Sequence, residues 1–195
     1  RSSRRSDRHE SMPITTPAAV RKQIETGSVG PLYLLQGEDE IEKAALSHEF
    51  ETLIDEGLRA FNVERIHAGD VTSGDRLVAV VSSLAAAAHT LPMMSPRRLV
   101  VVLQADGLLV PKRESEAATR ALEALEALFK EPDAQTTIVL IAAPLDKRAQ
   151  KLPLPERKIA AALAQHAVVS FWQAHDELMR ADGLGSLDDL LPRCV

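Results

Sequence analysis

The chain has 195 residues, 45% hydrophobic and 26% charged, enough apolar content to bury one sizeable core and to exclude disorder throughout. An aromatic fraction of 3% and a net charge of −5 argue against a stacking platform for single strands and against a broadly basic duplex-binding face. The single cysteine, Cys194, excludes an intrachain disulfide framework or a thiolate metal cluster and fits a cytoplasmic location, and no apolar stretch approaches the ~20 residues of a membrane-spanning helix.

Arg1 to Ser11 is polar and carries Arg1, Arg4, Arg5 and Arg8 without an apolar core, so it is not a secretory signal. A chain that starts at Arg1 and has Met12 is expected to include translated sequence ahead of the natural start, and residues 1–16 are expected to form a disordered tail. Ala18 to Thr26 reads as a helix stopped by Gly27, and Ser28 to Pro31 turns the chain into a strand over Leu32 to Gln36. A helix is expected from Asp39 to Gly57, with Ile41, Ala45, Phe50, Leu53 and Ile54 on its apolar stripe and Glu42, Lys43, Glu49 and Asp55 facing water. Phe61 to His67 alternates as a strand near a sheet edge.

Ser73 or Asp70 caps the next helix, whose Leu77, Val81, Leu84 and Ala88 repeat at helical spacing up to His89. The continuous apolar runs Leu99 to Leu103 and Ile138 to Ile141 predict central parallel strands covered on both faces. Between them Glu114 to Lys130 presents Ala118, Leu122, Leu125, Leu128 and Phe129 on one side and is stopped by Pro132. A helix over Pro155 to His166 leads to a fifth strand, Ala167 to Phe171. Alternating strands and helices around two fully apolar strands predict an α/β fold, a three-layer open parallel sheet with helices on both faces. In such sheets function gathers at the carboxyl ends of the strands, here after Gln36, Leu103 and Ile141.

The first of these places resembles a phosphate loop with its chemistry removed. A phosphate-cradling loop reads G-x-x-x-x-G-K-[ST], with backbone N–H groups and a lysine on the anion and a hydroxyl on magnesium. Gly37 and Lys43 match, but Glu42 stands at the second glycine position and Ala44 replaces the hydroxyl residue. Glu38, Asp39, Glu40 and Glu42 put negative charge where a triphosphate would sit, which argues against a nucleotide and toward protein contact.

After Leu103, Asp106 has the place of a magnesium-binding acid, but Gly107 follows where a water-orienting acid is needed. The plainer reading is an aspartate opening a turn. A receiver-like phosphoacceptor would use Glu38, Asp39 and Asp106 for magnesium but also needs a lysine after the fifth strand, where Ser170-Phe171-Trp172 stands. No paired-histidine metal motif and no G-x-S-x-G elbow occurs, and no metal site is expected. The segment that stands out is Thr90-Leu91-Pro92-Met93-Met94-Ser95-Pro96-Arg97-Arg98. Its prolines keep two adaptable thioether side chains out of regular structure, suited to an apolar pocket on a partner; the alternative folds Met93 and Met94 back onto the sheet edge as local core.

Four segments carry a family resemblance: Leu32-Tyr33-Leu34-Leu35-Gln36-Gly37-Glu38-Asp39-Glu40, Phe61-Asn62-Val63, Leu91 to Val102 and Leu145-Asp146-Lys147-Arg148. In order and spacing they resemble the amino-terminal domain of the delta subunit of bacterial DNA polymerase III, over about residues 17–171. The resemblance implies an AAA+ or P-loop-like fold with a degenerate nucleotide site, no cofactor, and no catalysis by this chain itself within a DNA polymerase (nucleotidyltransferase) holoenzyme. It implies that the element around Leu91 to Ser95 docks on the beta sliding clamp and helps open it. Met93 and Met94 match positions where the family often carries Leu-Phe. Other clamp-loader subunits would supply ATP hydrolysis, and DNA would be met through the complex. The family continues into a lid and a helical collar, whereas residues 172–195 match nothing, so the chain is expected to be truncated, able to bind the clamp but not to join the loader. A divergent P-loop NTPase is the competing reading.

Overall fold

A computed structural model describes residues 14–109, 115–144, 162–163 and 166–171. In chain order the elements are β1 (Ile14–Thr15), α1 (Pro17–Glu25), β2 (Leu32–Gly37), α2 (Glu40–Glu49), α3 (Arg59–Asn62), β3 (Val63–His67), α4 (Gly74–His89), β4 (Arg98–Leu103), α5 (Asp106–Leu109), α6 (Glu116–Lys130), β5 (Thr136–Ala142) and β6 (Ala167–Phe171). The strands form a sheet in the order β1-β6-β2-β5-β4-β3, every neighbouring pair parallel.

Because side chains alternate along a strand, each apolar run serves two cores. Leu32, Leu34, Val100, Val102, Ile138 and Leu140 pack with Leu77, Val81 and Leu84 of α4 and Leu122, Leu125 and Phe129 of α6. Tyr33, Leu35, Leu99, Val101, Val139 and Ile141 face the other way, onto Val20 and Ile24 of α1, Leu46 of α2, and Phe50 and Ile54. These are the three expected layers, and β3 lies at an edge as its alternation predicts. Local chemistry starts the helices: Thr16, Asp39, Ser73 and Ser115 each accept a backbone N–H from the first turn of α1, α2, α4 and α6. Thr26 and then Gly27, at φ +67°, end α1.

Three differences from the sequence reading matter. The helix expected from Asp39 to Gly57 breaks: α2 stops at Glu49, 3₁₀ turns follow over Phe50–Leu53 and Glu56–Leu58, and α3 then covers Phe61 and Asn62. Ile54 is extended, and the Asp55 carboxylate accepts the Gly57 N–H at 3.0 Å, a side-chain bond that competes with helix continuation. The stripe is also out of phase. Lys43, Leu46, Ser47 and Phe50 are buried, at i, i+3, i+4 and i+7, whereas Ile41 is 82% exposed and Ala45 is exposed too. Ile14–Thr15 and the cap Thr16, expected within the tail, join the fold, β1 pairing with β6. The helix expected over Pro155 to His166 lies mostly outside the described residues, as do Leu145 to Arg148, the rest of the tail and residues 172–195.

Candidate functional site

At the carboxyl end of β2 the worn phosphate loop is closed on itself. Gly37 has φ +132°, and a Cβ there would fall 1.7 Å from the Phe171 carbonyl oxygen, so the loop leaves the sheet tight against β6. The Glu38 N–H donates to that same carbonyl at 3.0 Å. Lys43, expected in water, is fully buried: its Nζ donates to the Gly37 carbonyl at 2.6 Å, to the Ala142 carbonyl at 2.9 Å and to Glu40 Oε1 at 2.6 Å. The ammonium therefore clasps the ends of β2 and β5 and has all three N–H groups engaged by the protein's own oxygens. This explains the helix phase, because hydrogen-bond partners for the amine lie at the strand ends beneath α2.

The neighbouring acids are engaged as well. Asp39 Oδ1 accepts the Glu42 N–H at 3.0 Å as the cap of α2. Glu42 and Glu49 both bind Arg21 of α1, at 3.0 and 2.9 Å, and these hydrogen bonds raise the guanidinium above its ordinary pKa. Asp106 opens the one-turn helix α5 after a turn at Gln104 and Ala105, and its Oδ1 accepts the Ala143 N–H at 3.4 Å, tying the ends of β4 and β5. Among the described residues no three of His, Cys, Asp and Glu converge as metal ligands, so Glu38, Asp39 and Asp106 are not brought together for magnesium.

The proline-framed segment lies at the other end of the sheet, before β4, and so escapes the rule that points to carboxyl ends. Leu91 is 71% exposed, Met93 54% and Met94 83%. The pair does not fold back as local core. Phe61, 57% exposed, belongs to α3 at the same end of the sheet. The side chains are free, but the backbone beneath them is not. The side-chain amide of Asn62 accepts the Met93 N–H at 2.6 Å and donates to the Met93 carbonyl at 2.9 Å, while also donating to the Leu58 carbonyl at 3.0 Å. Met94 has φ 53°, an uncommon conformation for a residue with a side chain.

Farther along, Ser95 Oγ donates to the Arg97 carbonyl at 3.0 Å, and the Arg97 guanidinium donates to Thr137 Oγ1 at 2.8 Å. Arg98, buried at the start of β4, donates to the Ala87 carbonyl at 3.1 Å and to the Phe61 carbonyl at 2.8 Å and pairs with Glu64. It therefore ties the end of α4, the end of α3 and strand β3 together under the loop. Sequence reading singled out Met93 and Met94 and matched Lys43 to the lysine of a worn phosphate loop, but it placed Lys43 in water and gave no role to Asn62 or Arg98. A charged residue opening an apolar strand was the one available signal for Arg98; Asn62 carried none beyond lying in the Phe61-Asn62-Val63 segment.

The family model described as DNA polymerase III, delta subunit, matches residues 31–171. Among solved structures the chain is similar to the Bacillus subtilis DNA clamp loader delta protein, with a TM-score of 0.59 and 22% identity, over 80% of this chain and 42% of that one. It is also similar to a DNA polymerase III gamma subunit-related protein from Thermotoga maritima, with a TM-score of 0.52 and 19% identity, over 90% of this chain and 52% of that one. The chain thus spans about half the length or less of these two proteins, and at such identities the likeness carries the fold. No relative is found among curated proteins.

Proposed function

Because the chain belongs to the DNA polymerase III delta-subunit family, we propose that it docks on the ring-shaped beta sliding clamp through Leu91, Met93 and Met94 and helps open the ring for loading on primed DNA. The observation that carries this reading is the exposure of those three apolar side chains on a backbone held in place from below. A folded domain gains nothing by presenting large apolar side chains to water at 54–83% exposure, and the unbranched methionines among them suit an apolar pocket on a partner. Opening follows if the docked loop fits the open ring better than the closed one, since a partner shifts an equilibrium only through differential affinity. The chain acts without hydrolysing ATP, because Lys43 is engaged where a phosphate would need it. In the full-length family other clamp-loader subunits would supply that reaction and DNA would be met through the complex, and the clamp is met in the cytoplasm.

The test is the affinity of the full chain for the beta clamp before and after Met93→Ala/Met94→Ala. Truncating two side chains that each contribute about 1.5 kcal/mol on burial predicts a loss of about 100-fold. Unchanged affinity would reject the docking surface.

A further inference from the structure

Resting on that reading of the loop, we infer that Asn62 is a positioning residue that holds Met93 and Met94 in the form that docks. A carboxamide has the same planar donor–acceptor pair as a peptide group, so its two-point pairing with the Met93 N–H and carbonyl resembles one rung of a strand ladder. One hydrogen bond would leave the Met93 backbone free to rotate about it; two, on the peptide groups either side of its Cα, fix its position and its direction. The third bond, from Nδ2 to the Leu58 carbonyl, anchors the amide to the start of α3, and Asn62 itself is fully buried.

The consequence falls on the next residue. Met94 stands at φ 53°, and a left-handed residue with a side chain persists only where its surroundings hold it. Pro92 and Pro96 restrict the chain on either side, but neither makes a bond that would set the Met93 peptide. With Asn62 in place, the loop is ordered before the partner arrives, so ordering does not subtract from docking affinity. Without it, Met93, already half exposed, can exchange its protein partner for water at little loss to the sheet, and the loop samples other forms.

The experiment compares clamp affinity of the full chain, the purified beta clamp being the probe, for the native sequence, Asn62→Ala, Met93→Ala/Met94→Ala and the triple variant. Asn62→Ala is expected to weaken binding about tenfold in the native background and by less than about twofold when both methionines are already alanine, since Asn62 acts only through them. A merely structural residue would weaken both backgrounds alike, and equal losses overturn the assignment. Native affinity for Asn62→Ala, alongside weakened Met93→Ala/Met94→Ala, overturns it while leaving the docking surface intact. Native affinity for Met93→Ala/Met94→Ala removes the surface and this inference with it. A measurement on the native protein serves if Asn62→Ala does not fold: the Met93 amide is expected to exchange with solvent at least about 100-fold more slowly than an open-chain amide, and exchange at the open-chain rate overturns the latch.

Discussion

The two ends of the sheet treat side chains in opposite ways. At the carboxyl end of β2 and β5 a lysine is turned inward and engaged by two carbonyls and a carboxylate. At the amino end of β4 apolar side chains are turned outward over a backbone pinned by Asn62 and flanked by Arg98. Hydropathy alone ranks these residues the wrong way round. In both places hydrogen bonds hold the local backbone: strand-end carbonyls draw Lys43 in, and Asn62 pins the Met93 backbone beneath the exposed side chains.

The contrast breaks most readily at Lys43. Lys43→Met keeps the length of the side chain but leaves the Gly37 and Ala142 carbonyls without their donor, and a loss of about 3–5 kcal/mol is expected in denaturant unfolding. Calorimetry with magnesium ATP on the native chain is expected to show no heat of binding, and a clear binding isotherm would contradict the self-occupied loop.

A smaller effect is expected at Tyr33, which lies between the two ends. Its hydroxyl accepts the Gly30 N–H at 2.8 Å and donates to Gln23 Oε1 at 2.7 Å. Burial raises its pKa above the ordinary 10.0, outweighing the opposing influence of the Gly30 N–H and of Arg97. The fold therefore favours the neutral phenol: its contribution is fully present below pH 10 and is lost as pH rises through the raised value. Tyr33→Phe is expected to cost about 1 kcal/mol at neutral pH and to flatten the decline in stability at alkaline pH, measured by unfolding at a series of pH values. An equally steep decline in the variant would assign the alkaline sensitivity elsewhere.

The smallest expected change sharpens the comparison most. Met93→Ser/Met94→Ser should alter unfolding free energy by less than about 0.5 kcal/mol, because side chains already in water have little burial to lose. A loss of several kcal/mol would mean that the loop is core after all.

The sheet was legible from residue types because β4 and β5 are continuous apolar runs and α4 and α6 carry unambiguous helical stripes. The break after Glu49 was not, since it depends on Asp55 bonding to Gly57 in competition with a sequence that otherwise continues a helix. Lys43 was assigned to water because a lysine in an amphipathic segment usually belongs there; its acceptors include a carbonyl 99 residues away. The Met93-Met94 pair could be marked from its prolines, yet the contact that holds its backbone comes from Asn62, a partner 31 residues distant. Local pattern gave the elements, and long-range polar contacts gave the site.

The parallel arrangement separates the self-occupied head from the exposed loop by the length of a strand. β4 has six residues, so the two lie about 20 Å apart along the sheet. Strands buried on both faces do not bend readily, and the body between them should swing as one piece. A tilt of roughly 10° about the head would carry the methionines through roughly 3.5 Å, given that strand length. A small rotation imposed at one end of such a body arrives at the other as a displacement comparable to the spacing between packed side chains.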